Sequence, residues 1–152
     1  MARHIFQVPG IPESAHNINT ILEAVGVRSH PFKMSSDFKF LMPCFGLMPC
    51  SSTHPCLFCV RSRRKGVWEV LPEDTQELRT FGSLKEQYEG WVAAGSRYTT
   101  PFTSRFQSTV GPVLVKAPGD GENTTVLQKT GMPTVHLLLS TNDIIRPHLI
   151  PF

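Results

Sequence analysis

Proline interrupts this chain thirteen times in 152 residues. Each ring removes a backbone donor and fixes φ, so only short elements can form between the breaks. Residues 12–26 read as a short helix, with Pro12 in the first turn, Ile18, Ile21, Leu22 and Val25 at helical spacing, and Gly26 as the stop. Val27 to Ser36 reads as a strand or extended segment. Phe38, Leu41, Met42 and Phe45 then form an apolar helical face in which Pro43 predicts a kinked or short helix. Ser83 with Glu86 makes a capping box for a helix over Ser83 to Ala94, with Leu84, Tyr88 and Trp91 on one face and Gly95 after it. Residues 96–131 are rich in Thr, Ser, Gly and Pro. Within them Val110 to Lys116 reads as one strand and Pro118 to Asn123 as a turn-rich loop. Val135 to Leu139, with Ile144 and Ile145, fits a last helix capped near Thr134. The echo of Leu-Met-Pro-Cys at 41–44 and 47–50 is too short to mark a repeat.

The length suits one domain with a core of its own. An apolar share of 40% and a charged share of 18% argue against global disorder. The formal charge of +3 favours a nucleic-acid partner only weakly. Met1 to Gly10 lacks the apolar region of a secretory signal, and no apolar run approaches the ~20 residues of a membrane span. A membrane partner is therefore not expected. Without a signal, four cysteines read first as metal ligands or free thiols rather than disulfides.

The chemistry concentrates at Cys56-Leu57-Phe58-Cys59. This spacing lets two thiolates converge on one metal, and tetrahedral zinc needs four such ligands. Cys50, His54 and Cys44 lie nearby, while His136 and His148 are distant. Two ligand sets stay open: a local Cys50, His54, Cys56 and Cys59 site, or a half-site completed from beyond Phe152. An unmetallated turn is the plain alternative, and buried free thiols pack as small hydrophobes. Arg61, Arg63, Arg64 and Lys65 follow the motif and suit phosphate, or equally a solvated surface or nuclear-import patch. Asp37, 19 residues before Cys56, is either a carboxylate projecting from a strand end or the cap of the next helix. Trp91 and Tyr88 read as core anchors, and His136 as a histidine within an apolar run.

Several pieces together carry a family resemblance. They are Val8-Pro9-Gly10-Ile11-Pro12-Glu13-Ser14, Ser36-Asp37-Phe38-Lys39, Gly46-Leu47, Ser51-Ser52-Thr53-His54-Pro55-Cys56-Leu57-Phe58-Cys59, Leu78-Arg79-Thr80-Phe81-Gly82-Ser83, Tyr88-Glu89-Gly90-Trp91 and Val135-His136-Leu137-Leu138-Leu139. In this order the chain resembles invertebrate transposon-derived proteins, which are similar to the Transib-type DDE transposases and the catalytic subunit of the V(D)J recombinase. The resemblance implies an α+β fold: a fragment of a ribonuclease-H-like core over residues 1–50, then a mainly helical zinc-binding insertion region over 51–152. It implies Asp37 as a triad carboxylate, Cys56 and Cys59 as half a structural Zn²⁺ site, and a histidine such as His136 in the other half. It also implies DNA as partner and a nuclear location. In the intact family two Mg²⁺ or Mn²⁺ ions held by carboxylates drive phosphoryl transfer. Here only Glu13 and Glu23 precede Asp37 among acids, and no glutamate follows Glu122. Asp143, beside the segment that holds His136, does not fit the third place. The chain alone is therefore expected not to cut DNA, and missing core segments would favour self-association. The alternative expectation is a small non-catalytic zinc module that contacts DNA or protein.

Overall fold

The computed structural model describes residues 14–24, 26–64, 67–68 and 77–130. Helix α1 spans Ala15–Ala24. The Ser14 hydroxyl accepts from Asn17 N–H at 3.2 Å, and the chain leaves through Gly26 at φ +65°. The segment expected as a strand or extended chain begins instead with a short 3-10 turn over Val27–Ser29, and residues 31–37 then run without helix or strand apart from one bridge residue. A single parallel bridge joins Met34 to Thr130.

Helix α2, Phe38–Cys44, ends one residue after its internal Pro43, as the missing donor requires. It buries Leu41, Met42 and Cys44, and Phe45 beyond it is fully buried against Phe81 at 6.1 Å between ring centroids. Gly46 then turns the chain at φ +69°. Its carbonyl accepts from Val110 N–H and Gly111 N–H at 2.8 and 3.0 Å. A Cβ on Gly46 would stand 1.9 Å from the Gly111 carbonyl oxygen, so only glycine fits. This clamp explains why Val110 to Lys116 is not the expected strand. The segment lies against the end of α2, with Leu114 N–H donating to Cys44 C=O at 2.9 Å, and Pro112 prevents a continuous ladder.

Helix α3 spans Phe81–Ala93 and starts three residues earlier than the Ser83 cap predicts. Thr80 is the cap, and Ser83 reciprocates from the third helical position, with 3.0 Å bonds in each direction. The earlier start buries Phe81 on the same face as Leu84 and Trp91. Gly95 ends the helix at φ +101°, as expected. Two short helices lie where none was expected: α4, Thr100–Arg105, and α5, Val126–Lys129. Thr125 and Gln128 form the capping box of α5. Its start is bonded to that of α3 through the Thr80–Thr125 bridge and through Phe81 N–H to Thr124 C=O at 2.9 Å. The 118–123 loop is turn-rich as expected.

One apolar cluster joins these pieces: Ile18 from α1, Leu41, Phe45 and Leu47 around α2, then Leu57, Phe81, Leu84, Val115 and Val126. Each such side chain contributes roughly 1.5–3 kcal/mol of burial. The cluster draws on both sides of residue 50, so among the described residues the expected halves, 1–50 and 51–152, share one core. The only ladder among the described residues is a hairpin of β1, Arg63–Arg64, and β2, Val67–Trp68. The multi-stranded sheet of a ribonuclease-H-like core is thus not among them. No helix of the described residues is long and apolar enough to cross a membrane.

Candidate metal centre

The Cys-x-x-Cys segment is a knuckle held from below. Cys59 forms an antiparallel bridge with Leu78, Val60 N–H donates to Glu77 C=O at 3.1 Å, and Arg79 N–H donates to Phe58 C=O at 2.8 Å. This pairing places the Arg79 side chain under the turn. Its Nε donates to the carbonyls of Cys56 and Cys59 at 3.1 and 3.2 Å, and Nη2 donates to Gln107 C=O at 3.0 Å and His54 C=O at 3.5 Å. Arg79 is 1% exposed, and among the described residues no carboxylate pairs with it. Burial lowers its pKa from 12.5 to about 10, while Cys56 and Cys59, when charged, pull it back up. A buried arginine whose partners are carbonyl dipoles and two thiols is a fixed positive field beneath the sulfurs.

Cys56 is half-buried and Cys59 buried, with the two side chains in hydrogen-bond contact. Burial pushes the Cys59 thiol up, and Cys56 adds to this. The Arg61 backbone N–H and the Arg79 charge oppose it. Two adjacent sulfurs on a pinned turn fit half of a tetrahedral zinc set. Among the described residues, no three His, Cys, Asp or Glu side chains group to hold a metal. Cys50 and His54 therefore do not complete the local four-ligand set. Cys50 is exposed and lines a separate apolar cavity of about 490 Å³ with Lys39, Met42, Pro43 and Leu47. His54 Nδ1 pairs with Thr53 Oγ1 at 3.2 Å. His136 and its expected helix, with His148, lie outside the described residues.

Cys44 belongs to the core. Burial pushes its thiol from 9.0 up to about 12, against a smaller lowering by a backbone hydrogen bond. The folded state keeps this proton where the unfolded chain releases it. The group's contribution to stability is complete below pH 9 and falls as pH rises from 9 towards 12. The slope reaches about 1.4 kcal/mol per pH unit. Urea midpoints at pH 8 and pH 10 should show this decline, and Cys44→Val should reduce it; a wild-type midpoint flat across that window would contradict the assignment. Cys59 shifts in the same direction, so a smaller slope should persist in the variant.

Asp37 caps α2. Its Oδ1 accepts from Phe40 N–H at 2.9 Å, and its backbone is extended at φ −69°, ψ 162°. The chain before it is not a strand, and among the described residues no acidic cluster surrounds it. A cap of this kind contributes about 1 kcal/mol to the helix. That accounts for the aspartate without catalysis.

The basic flank leaves the knuckle as the β1–β2 hairpin. Arg63 N–H donates to Thr53 C=O at 2.7 Å, tying the hairpin to the loop that enters the knuckle. Arg61 is half-buried, Arg64 pairs with Val67 across the ladder, and Lys65 lies outside the described residues. In the sequence Arg79 stands only within the Leu78 to Ser83 piece of the resemblance and carries no role there, because a lone arginine shows no periodic signal of burial. Sequence reasoning missed the consecutive positive φ values of Gln107 and Ser108, 52° and 59°, which turn the Gln107 carbonyl to Arg79. Ser108 Oγ accepts from His54 N–H at 3.2 Å, so this strained turn supports the knuckle from a second side. No protein-family model, curated protein or solved structure matches this chain.

Proposed function

We propose that this chain is a non-catalytic zinc-binding module of the kind inserted in DDE-type transposases, binding Zn²⁺ through Cys56 and Cys59 and contacting DNA through its basic flank. The observation that carries the reading is the Cys56–Cys59 pair, side by side on a turn whose two carbonyls are pinned by Arg79. Zinc requires deprotonated sulfur, and the Arg79 charge under the turn works towards that state against the burial that raises the Cys59 thiol. The remaining donors come from outside the described residues, His136 being the candidate in this chain. Bound zinc would cross-link the knuckle to those donors and supply folding free energy, on the order of 10 kcal/mol in small metal-dependent domains.

Strand transfer is not assigned to the chain itself. Its one candidate carboxylate for a Mg²⁺ or Mn²⁺ site, Asp37, already serves as a helix cap. A fragment of an intact DDE enzyme would share the same knuckle, and its missing carboxylates would come from other segments. A DNA partner fits a nuclear protein. Elemental analysis of the purified chain tests the reading. We expect bound zinc, released by Cys56→Ser together with a lower melting temperature. A zinc-free protein whose melting curve is unchanged by Cys56→Ser would overturn it.

A further inference from the structure

Beside the knuckle, between the 48–53 loop and α4, lies a cavity of about 370 Å³ lined chiefly by Ser51, Ser52, Thr53, Arg63, Thr100 and Thr103. We propose that this cavity binds a phosphoryl group, a reading that rests on the basic flank as a phosphate-contacting surface and gives it a defined subsite. Among the described residues Arg63 is the one charged side chain on its wall, and no carboxylate opposes it there. Among the described residues the Arg63 side chain forms no ion pair, so its planar fork is free to donate to two oxygens at once.

The hydroxyls divide by their commitments. Thr103 Oγ1 donates within α4 to the carbonyls of Thr99 and Thr100, each at 3.3 Å, and Thr53 Oγ1 pairs with Ser108 Oγ at 3.3 Å. Ser52 Oγ is buried behind the wall, out of a ligand's reach, and has no hydrogen-bond partner among the described residues. Ser51 and Thr100 are exposed at the rim, where they can reach further oxygens. Among the described residues, one cation, two exposed rim hydroxyls and no acid make a lining that suits tetrahedral phosphate oxygens and disfavours a cation.

The position also has a structural logic. Arg63 is fixed to the cavity loop by its 2.7 Å backbone bond to Thr53, and Thr53 and His54 both meet Ser108. The cavity wall is therefore continuous with the turn that carries Cys56. The sources of the phosphoryl group are a free phosphate compound or a nucleic-acid strand, and both present the same oxygens.

The test titrates the full chain, purified with its metal, with inorganic phosphate and separately with two single-stranded oligonucleotides that differ only in a 5′-phosphate. Calorimetry should show saturable phosphate binding, weakened about tenfold or more in Arg63→Met and several-fold in Thr100→Val. Arg63→Lys should recover it only in part, because an ammonium lacks the fork. Melting curves and zinc content check that each variant folds, and Thr100→Val keeps the test decisive if Arg63→Met does not. No phosphate binding, or binding untouched by Thr100→Val and by every folded Arg63 variant, overturns the proposal. A 5′-phosphate that tightens oligonucleotide binding in an Arg63-dependent way assigns the site to strand ends. Equal affinity for the two strands, with phosphate still bound, supports a free phosphoryl ligand. DNA binding without phosphate binding overturns this subsite and leaves the basic-flank reading standing, whereas phosphate binding without DNA binding does the reverse.

Discussion

Arg79→Met should destabilise the protein by about 3–5 kcal/mol and weaken metal binding about tenfold or more. The guanidinium, 1% exposed, holds the carbonyls of Cys56, Cys59 and Gln107, the Cys59 bond being fully buried. Methionine fills similar space but donates nothing, so those acceptors lose their partners, at roughly 1–3 kcal/mol for each one left unpaired. An opposing gain exists, because the same burial that lowers the Arg79 pKa to about 10 is a penalty that methionine escapes. Methionine also removes Arg79 Nη1, a buried donor with no partner among the described residues, and the several lost bonds outweigh both gains. Lysine should rescue little, since an ammonium cannot span the turn from Cys56 to Gln107 as a fork does. Urea denaturation of the two variants, with zinc analysis alongside, measures both effects. A loss below about 1 kcal/mol for Arg79→Met would show that the knuckle holds its shape without the clamp.

Asp120→Ala should cost about as much, 3–5 kcal/mol, through a different element. Lys129 is buried at the end of α5, its side chain 2% exposed, with Nζ 2.5 Å from Asp120 Oδ2 and 3.9 Å from the Phe32 ring centroid. Removing the carboxylate leaves an ammonium with no counter-charge in the interior. It also removes the acceptor for Ala117 N–H at 2.8 Å. Lys129→Met should be milder, because a neutral chain of similar length keeps the contact with Phe32 and strands a carboxylate that is less buried than the lysine. The double variant should resemble Lys129→Met alone, and a double-mutant cycle in urea reads the coupling. Full additivity would mean that the pair does not act as a unit. The effect reaches the candidate centre. Val126 N–H at the start of α5 donates to Arg79 C=O at 3.0 Å, so loosening α5 loosens the residue beneath the sulfurs.

Much of the local structure was legible in the sequence, and its failures share a cause. Helices α1 and α3 are written in apolar spacing with glycine stops, and Pro43 shortens α2 as its chemistry demands. Short-range rules located these because the energies behind them are local. The cap of α3 was placed three residues late, since Thr80 and Ser83 both suit the role. Burial of Phe81, a tertiary contact, decides between them. The Thr125–Gln128 box of α5 was present and unread, because four helical residues leave almost no periodic pattern. Val110 to Lys116 looked like a strand by composition, yet the Gly46–Gly111 approach draws it onto α2.

The candidate centre divides in the same way. Cys56 and Cys59 announce themselves by spacing, whereas Arg79 and Lys129 do not, since nothing local distinguishes a buried basic residue from a surface one. Asp37 drew attention through its distance from the cysteines, and its observed bond to Phe40 N–H is the ordinary one for an aspartate before a helix.

The central claim is that Cys56 and Cys59 bind one metal ion together. Cobalt(II) replaces zinc at such sites and reports its ligands by colour, so the direct measurement is an optical titration of metal-free protein with Co²⁺, followed by displacement with Zn²⁺. The account predicts one cobalt ion bound tetrahedrally, with thiolate-to-metal charge-transfer absorption that weakens in both Cys56→Ser and Cys59→Ser, persists in Cys50→Ser, and bleaches when zinc is added. A spectrum without thiolate charge transfer, or one that survives both substitutions unchanged, would contradict it.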